Sequence, residues 1–190
     1  MKFIWFDWGS TLAYSKTRKL FMCNPWVADD ILYPNVRDML AFLKRKGVHI
    51  GLVSNMKYHA HEMDRALLDS GLLEYFDFTI YNTSRDVPCK KPCPDIFQRA
   101  YEKSLRFVPD LQPSEIVMVG NSVPKDLMGF LRVFPEGRVI HAKGPGIAKD
   151  VLRFFYMNNI YDVTRSHYSV SPYFDGSSFY SKTFEPTSRS

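Results

Sequence analysis

Five short apolar runs punctuate the chain: KFIWFDW (2–8), HIGLVSN (49–55), DFTIYN (77–82), EIVMVGN (115–121) and RVIHAK (138–143). Three of them are nearly continuous hydrophobics, the pattern of a strand covered on both faces. Helical patterns lie between them. VRDMLAFLKRKG (36–47) carries apolar residues at 36, 39, 40 and 43 and stops on Gly47, which is one helical face followed by a good C′ residue. HAHEMDRALLDSG (59–71) ends on Gly71, PDIFQRAYEKSL (94–105) opens with Pro and Asp, and PKDLMGFLRVF (124–134) is shorter. Pro and Asp are common at helix starts. A last helix is expected from VLRFFYMNN (151–159). The alternation predicts an α/β fold: a Rossmann-like parallel sheet of about five strands with helices on both faces. Ligands of such sheets bind beyond the carboxyl ends of the strands. Asp7, Ser54 and Asn121 stand at three of those predicted ends.

Two segments break the alternation. Residues 12–32 are long for a simple loop and too short for a second domain. They hold Tyr14, Phe21 and Trp26 beside Lys16, Arg18 and Lys19, and suit either a small lid or flap or an extra helical turn on the sheet edge. After Arg165 the chain becomes rich in Ser yet keeps three Tyr and three Phe. Pure linkers lack aromatics, so residues 166–190 are expected to dock, on this domain or on a protein partner. The predicted organisation is one domain over 1–165, with the insert at 12–32, followed by a tail over 166–190.

Composition narrows the class. A length of 190 residues with 45% hydrophobic and 15% aromatic content supports one domain with a sizeable core. No run of 18 apolar residues is present, so no membrane span is expected. Asp7 interrupts the first apolar run too early for a signal peptide, and an intracellular, cytoplasmic location is expected. The net charge of +5 fits an anionic partner: a phosphate compound, a nucleic acid or an acidic protein. The basic residues are scattered and do not choose among these. Cys23, Cys89 and Cys93 cannot all pair within the chain, which argues against a disulfide scaffold. CKKPC (89–93) has no obvious further ligands for a zinc site, so buried or free thiols are expected. His59 and His61 are expected on the exposed first turn of a helix, without chemistry.

Four motifs occur in order. They are WFDWGSTL (5–12), a strand ending in Asp7 with Thr11 four residues on; YPNVRDMLAFLKRKGVHIGLVSN (33–55), a helix leading to a strand that ends in Ser54; KKPCPDIFQRAYE (90–102); and IVMVGNSVPKDLMG (116–129). Their order and spacing resemble the haloacid dehalogenase (HAD) superfamily from about residue 2 to about residue 150. The resemblance implies that Asp7 attacks phosphorus and carries the phosphoryl group covalently. It implies a phosphate oxygen held by Ser54 and the Asn55 backbone, with Gly9 and Ser10 at the same mouth. Lys91 would neutralise developing charge and steady the nucleophile, with Lys90 as the neighbouring alternative, and Thr11 would support the turn. Magnesium would bridge Asp7 and substrate, held by Asp7, the Gly9 carbonyl, Asn121 and Asp126.

Two positions depart from that pattern. The acid that protonates the leaving group and later activates water is replaced by Gly9, which still supplies a carbonyl. General acid–base catalysis of this kind is worth roughly 10²–10⁴ in rate. Asn121 stands where a metal-binding Asp is usual, so magnesium binding should be weak or absent. Asp126 could also serve as a charge partner at a helix start. The expected function is a HAD-fold protein with weak or lost catalysis acting as a binding or assembly subunit. The alternative is an active magnesium-dependent phosphatase of unknown phosphomonoester substrate. A metal-free dehalogenase-like hydrolase would need a large cap over an apolar pocket, and only the short 12–32 insert is present.

Overall fold

Strand β1 (Phe3–Phe6) is the spine of the fold, and both of its edges are paired. In the computed structural model, which describes residues 1–15, 30–55, 60–82, 87–142 and 144–163, all five predicted runs form strands. These are β1, β4 (His49–Ser54), β5 (Phe78–Tyr81), β6 (Ile116–Gly120) and β7 (Arg138–His141). They make one parallel sheet in the order β5-β4-β1-β6-β7. Phe3 lies level with both His49 and Ile116, and Phe6 with both Leu52 and Val119. The strands on either side of β1 therefore end at nearly the same height.

Alternation along β1 sends its side chains into two separate cores. Ile4 and Phe6 join Leu40, Leu43, Met63, Leu67, Ile147 and Val151 on one face. That face is covered by α1 (Val36–Arg45), α2 (Ala60–Asp69) and α5 (Ile147–Val163). Phe3 and Trp5 join Ile96, Phe97, Ala100, Phe130 and Phe134 on the other. That face is covered by α3 (Pro94–Ser104) and α4 (Met128–Val133). All four side chains of β1 are completely buried. Burying each is worth roughly 1.5–3 kcal/mol, so β1 is anchored on both sides just before Asp7. The Trp5 indole N–H donates to Ser104 Oγ at 3.1 Å, and that hydroxyl donates to the Ala100 carbonyl at 2.9 Å. The polar atom of a buried aromatic is thus satisfied.

At the amino-terminal edge of the sheet, Asp77 ties β5 to β4 and α1. Lys44 Nζ lies 2.9 Å and 3.0 Å from its two oxygens, and the Ile50 N–H donates to Oδ2 at 2.7 Å. His49 Nδ1 is 3.3 Å from Oδ1. Burial works to raise the Asp77 carboxyl, but Lys44 and the Ile50 N–H outweigh it and hold it below the ordinary 3.8.

Several expectations are corrected. Asp7, where the first strand was expected to end, lies one residue beyond β1. The last helix starts at Ile147, not 151. The turn Gly144–Gly146 breaks the chain directly before it, and Ile147, Ala148 and Val151 are buried as its inner face. The helix expected over 124–134 is divided into a π-helical turn, Val123–Leu127, and α4. The ends of the 12–32 insert pair as an antiparallel ribbon, β2 (Ala13–Ser15) with β3 (Asp30–Leu32). Residues 16–29 of the insert, His59 and the tail over 166–190 lie outside the described residues. His61 is exposed near the start of α2. Among the described residues, no helix is long and apolar enough to cross a membrane.

The cysteines are also corrected. Cys89 and Cys93 form a disulfide across a Cα–Cα distance of 6.0 Å, where buried or free thiols were expected. The loop turns back on itself, with the Cys93 N–H donating to the Lys90 carbonyl at 2.9 Å. That turn brings two residues four apart into bonding range.

Candidate functional site

The carboxyl ends of β1, β4 and β6 converge on Asp7. Its N–H donates to the Val119 carbonyl at 2.9 Å, which continues the ladder one residue past the strand. The chain then turns sharply. The Trp8 carbonyl accepts from the N–H groups of Thr11, Leu12 and Ala13 at 2.9–3.2 Å, and Ser10 adopts the left-handed conformation at φ 59°. This turn carries Thr11 back over the strand end. Thr11 Oγ1 donates to Asp7 Oδ2 at 3.0 Å and accepts the Asn121 N–H at 3.1 Å. One hydroxyl thus fixes the carboxylate and couples it to the end of β6. Trp8 supports the turn from inside, with its indole N–H donating to Asp30 on β3 at 2.6 Å.

Ser54, the last residue of β4, donates from Oγ to Asp7 Oδ1 at 3.2 Å. Lys91 reaches the same oxygen at 2.8 Å and also meets Asp126 Oδ1 at 2.7 Å and the Val53 carbonyl at 2.7 Å. Its three ammonium donors therefore have three acceptors. The Lys91 side chain is 1% exposed and that of Asp126 3%, so the ion cluster is desolvated and its attractions are weakly screened. Burial pulls the Lys91 ammonium down, but Asp7 and Asp126 outweigh it and hold it above the ordinary 10.5. Burial, with Asp7 as a like charge, holds the Asp126 carboxyl above the ordinary 3.8 although Lys91 opposes this.

Each support is local. Asn55 clips the backbone of Lys91: its Oδ1 accepts the Lys91 N–H at 2.7 Å, and its Nδ2 donates to the Lys91 carbonyl at 3.1 Å. The π-helical turn presents Asp126, whose Oδ2 accepts the Ser122 N–H at 2.9 Å. Gly120 is required beneath it, because a Cβ there would lie 2.4 Å from Asp126 Cβ. Widened turns of this kind are often found at functional positions.

The structure gathers Asp7, Thr11, Ser54, Lys91 and Asp126 into one hydrogen-bonded group. Gly9 and Ser10 are exposed beside it. Lys90 is exposed and outside it. Asn121 joins the group through its N–H, and its side chain makes no hydrogen bond among the described residues. Sequence reasoning gave Asn55 a role through its backbone, whereas its side chain is what holds Lys91. It also missed His141, whose Nε2 is 3.1 Å from the Asn121 carbonyl. His141 ends β7, and the rule that sites lie at carboxyl ends of strands would have marked it.

The residues that would hold magnesium, Asp7, the Gly9 carbonyl, Asn121 and Asp126, would offer it oxygen donors alone, the type a hard divalent cation takes. The set fits magnesium in kind but is poor in charge. Lys91 already lies on one oxygen of each carboxylate, and the Ser122 N–H occupies the other oxygen of Asp126. Elsewhere, Cys89, Cys93 and Asp95 place ligand atoms within 4.8 Å of one another, but both sulfurs are taken up in the disulfide.

A family model for haloacid dehalogenase-like hydrolases matches residues 4–133. This is more than half of the chain, and the protein belongs to that family. No curated protein matches it. Among solved structures it is similar to an uncharacterized protein from Listeria monocytogenes serotype 4b, at 22% identity and TM-score 0.60 over 82% of this chain and 99% of that one. It is similar to a HAD-superfamily hydrolase from Ehrlichia chaffeensis, at 16% identity and TM-score 0.58 over 81% of this chain and 95% of that one. At these identities the likeness is one of fold. A HAD phosphatase from Thermococcus onnurineus is 29% identical over 60% of this chain, at TM-score 0.49, and the match spans 47% of that protein.

Proposed function

We propose that this chain is a HAD-fold phosphoryl-binding protein whose hydrolytic turnover is weak or lost, and that it acts as a binding or assembly subunit. One observation carries the proposal. Asp7 keeps donors from Thr11, Ser54 and Lys91, while a Cβ at Gly9 would meet nothing within 4 Å. The nucleophile is positioned, and the place of its acid–base partner is open space.

The residues divide the work as follows. Thr11 and Ser54 orient the Asp7 carboxylate, and Lys91 offsets its charge. Attack by an Asp7 oxygen on a phosphoryl group forms one P–O bond and breaks the bond to the leaving oxygen, which then needs a proton. Gly9 has none to give and cannot later activate water, so each half-reaction loses roughly 10²–10⁴. Two carboxylates facing one ammonium leave the cluster with one net negative charge when all three are ionised. A phosphate dianion therefore enters best with that charge offset. Magnesium held by Asp7, the Gly9 carbonyl, Asn121 and Asp126 would supply the offset when bound, and the neutral Asn121 weakens its retention. Residues 166–190 are the proposed arm for a protein partner.

The second reading is an active magnesium-dependent phosphatase acting through Asp7 on an unknown phosphomonoester. The full set of donors on Asp7 favours it. One experiment separates the two: magnesium-dependent phosphate release from a panel of phosphomonoesters by wild type, Asp7→Asn and Gly9→Asp/Asn121→Asp. Silence in wild type and activity in the double variant support lost turnover. Activity in wild type that disappears in Asp7→Asn establishes the phosphatase instead. Truncation after Arg165 should leave phosphate binding intact and abolish association with the partner; unchanged association would remove the tail from the proposal.

A further inference from the structure

Lys91 sits inside the ring closed by the Cys89–Cys93 disulfide, one residue from Lys90 and two from either sulfur. We propose that Cys89 and Cys93 are a redox-modification site that sets how firmly Lys91 is held against Asp7. Four features of the loop bear on it. First, both cysteines are half-buried while Lys91 between them is buried, so the disulfide loop lies nearer the surface than the ammonium it frames. Second, Cys93 is the N-cap of α3, so the ring is joined directly to a helix whose Ile96, Phe97 and Ala100 are buried in the core. Third, on the other side of the ring, Val87 is buried, which fixes the entry to the loop. Fourth, among the described residues the Lys91 backbone is held by the pair of hydrogen bonds from Asn55. Closing the ring removes backbone freedom that those two bonds would otherwise have to overcome.

The chemistry balances with a small-molecule disulfide such as oxidised glutathione. The thiolate of one cysteine attacks it, releasing one reduced thiol and leaving a mixed disulfide. The second cysteine then attacks that mixed disulfide, closing the Cys89–Cys93 bond and releasing a second reduced thiol. The protein loses two electrons and two protons, which the reduced glutathione carries. The helix N-terminus at Cys93 favours an anionic group and Lys90 is exposed beside Cys89, while the Asp95 carboxylate, within 4.8 Å of both sulfurs, opposes a thiolate and slows the attack.

This inference rests on the anion-pocket reading of the site, and the test separates the two. The full chain is equilibrated in buffers of reduced and oxidised glutathione. The Cys89–Cys93 bond is followed by alkylation and peptide mass, which distinguishes it from any bond to Cys23. Amide hydrogen exchange over residues 87–93 and the affinity for inorganic phosphate are measured in both forms, with Cys89→Ser/Cys93→Ser as a control. The reduced form and the double variant should exchange faster over 87–93 and bind phosphate about threefold to tenfold more weakly, as expected when the competent arrangement is only partly populated. The double variant should not respond to the redox buffer. Failure of the bond to form, or equal exchange in the two forms, overturns the proposal. Faster exchange in the reduced form with no phosphate binding in either form sustains redox control of the loop and overturns the anion pocket.

Discussion

The two edges of the sheet each hold a lysine against aspartate, and they are built to opposite effect. At the amino-terminal edge one carboxylate, Asp77, has Lys44, the Ile50 N–H and His49 around it. Donors exceed acceptors, and the Asp77 carboxyl is held low. At the carboxyl-terminal edge one ammonium, Lys91, serves two carboxylates. Carboxylates outnumber cations, and Asp126 is held high. The first is a structural tie, saturated and partly in water: the Lys44 side chain is 33% exposed. The second is under-neutralised and buried, the condition in which ionisable groups mark functional sites. The same two residue types therefore stabilise at one end of the strands and hold unmet charge at the other.

The contrast can be broken by substitution. Lys91→Met keeps the apolar stem and removes the ammonium, leaving two buried carboxylates facing each other. It should cost about 3–5 kcal/mol in urea denaturation and eliminate phosphate binding; a loss below about 1 kcal/mol would show that the cluster is wetter than it looks. Thr11→Val takes one donor from Asp7 and the acceptor from the Asn121 N–H. It should cost roughly 1–3 kcal/mol and weaken phosphate binding with the fold retained by circular dichroism.

The pH dependence sharpens the comparison through its signs. Asp77 is held below its ordinary 3.8, so its contribution is present above that pH and is lost as pH falls through the folded value. Asp77→Asn should therefore flatten the acid limb of the stability profile. Asp126 is held above 3.8, so the folded state binds its proton more tightly, and stability falls as pH rises from 3.8 through the raised value. Asp126→Asn in magnesium-free buffer should remove that opposite slope. Identical effects of the two substitutions on the midpoint between about pH 3 and 6 would end the distinction. The smallest effect belongs to Lys44→Met, about 1 kcal/mol or less, because its pair is partly solvated.

The sheet was legible because β1 and β6 are apolar at nearly every position and β4 carries an apolar centre, a signal that survives without any knowledge of partners. The placement of Asp7, Ser54 and Asn121 followed from the strand ends. Lys91 is different: nothing in its local pattern separates it from exposed Lys90, and only the resemblance to a family chose it. The meeting of Lys91 with Asp126 joins residues 35 positions apart in sequence, which periodicity does not encode. The disulfide was missed because a spacing of four says nothing about whether the intervening backbone turns. The β2–β3 ribbon was missed because two strands of three residues carry too few positions for alternation to register. The early start of α5 was hidden by Gly-Pro-Gly, which reads as a break but also ends directly on a helix start.

The Asn55 clip has one more consequence. It grips residue 91 by its N–H and C=O, groups that any residue but proline would present there. Position 91 is thus a socket whose frame is independent of its occupant. Arginine, histidine or a noncanonical cation installed there would enter from one fixed Cα. Differences in behaviour among such variants would report the chemistry of the side chain and not the displacement of the loop, which makes this residue a natural place to attach a vibrational or isotopic probe.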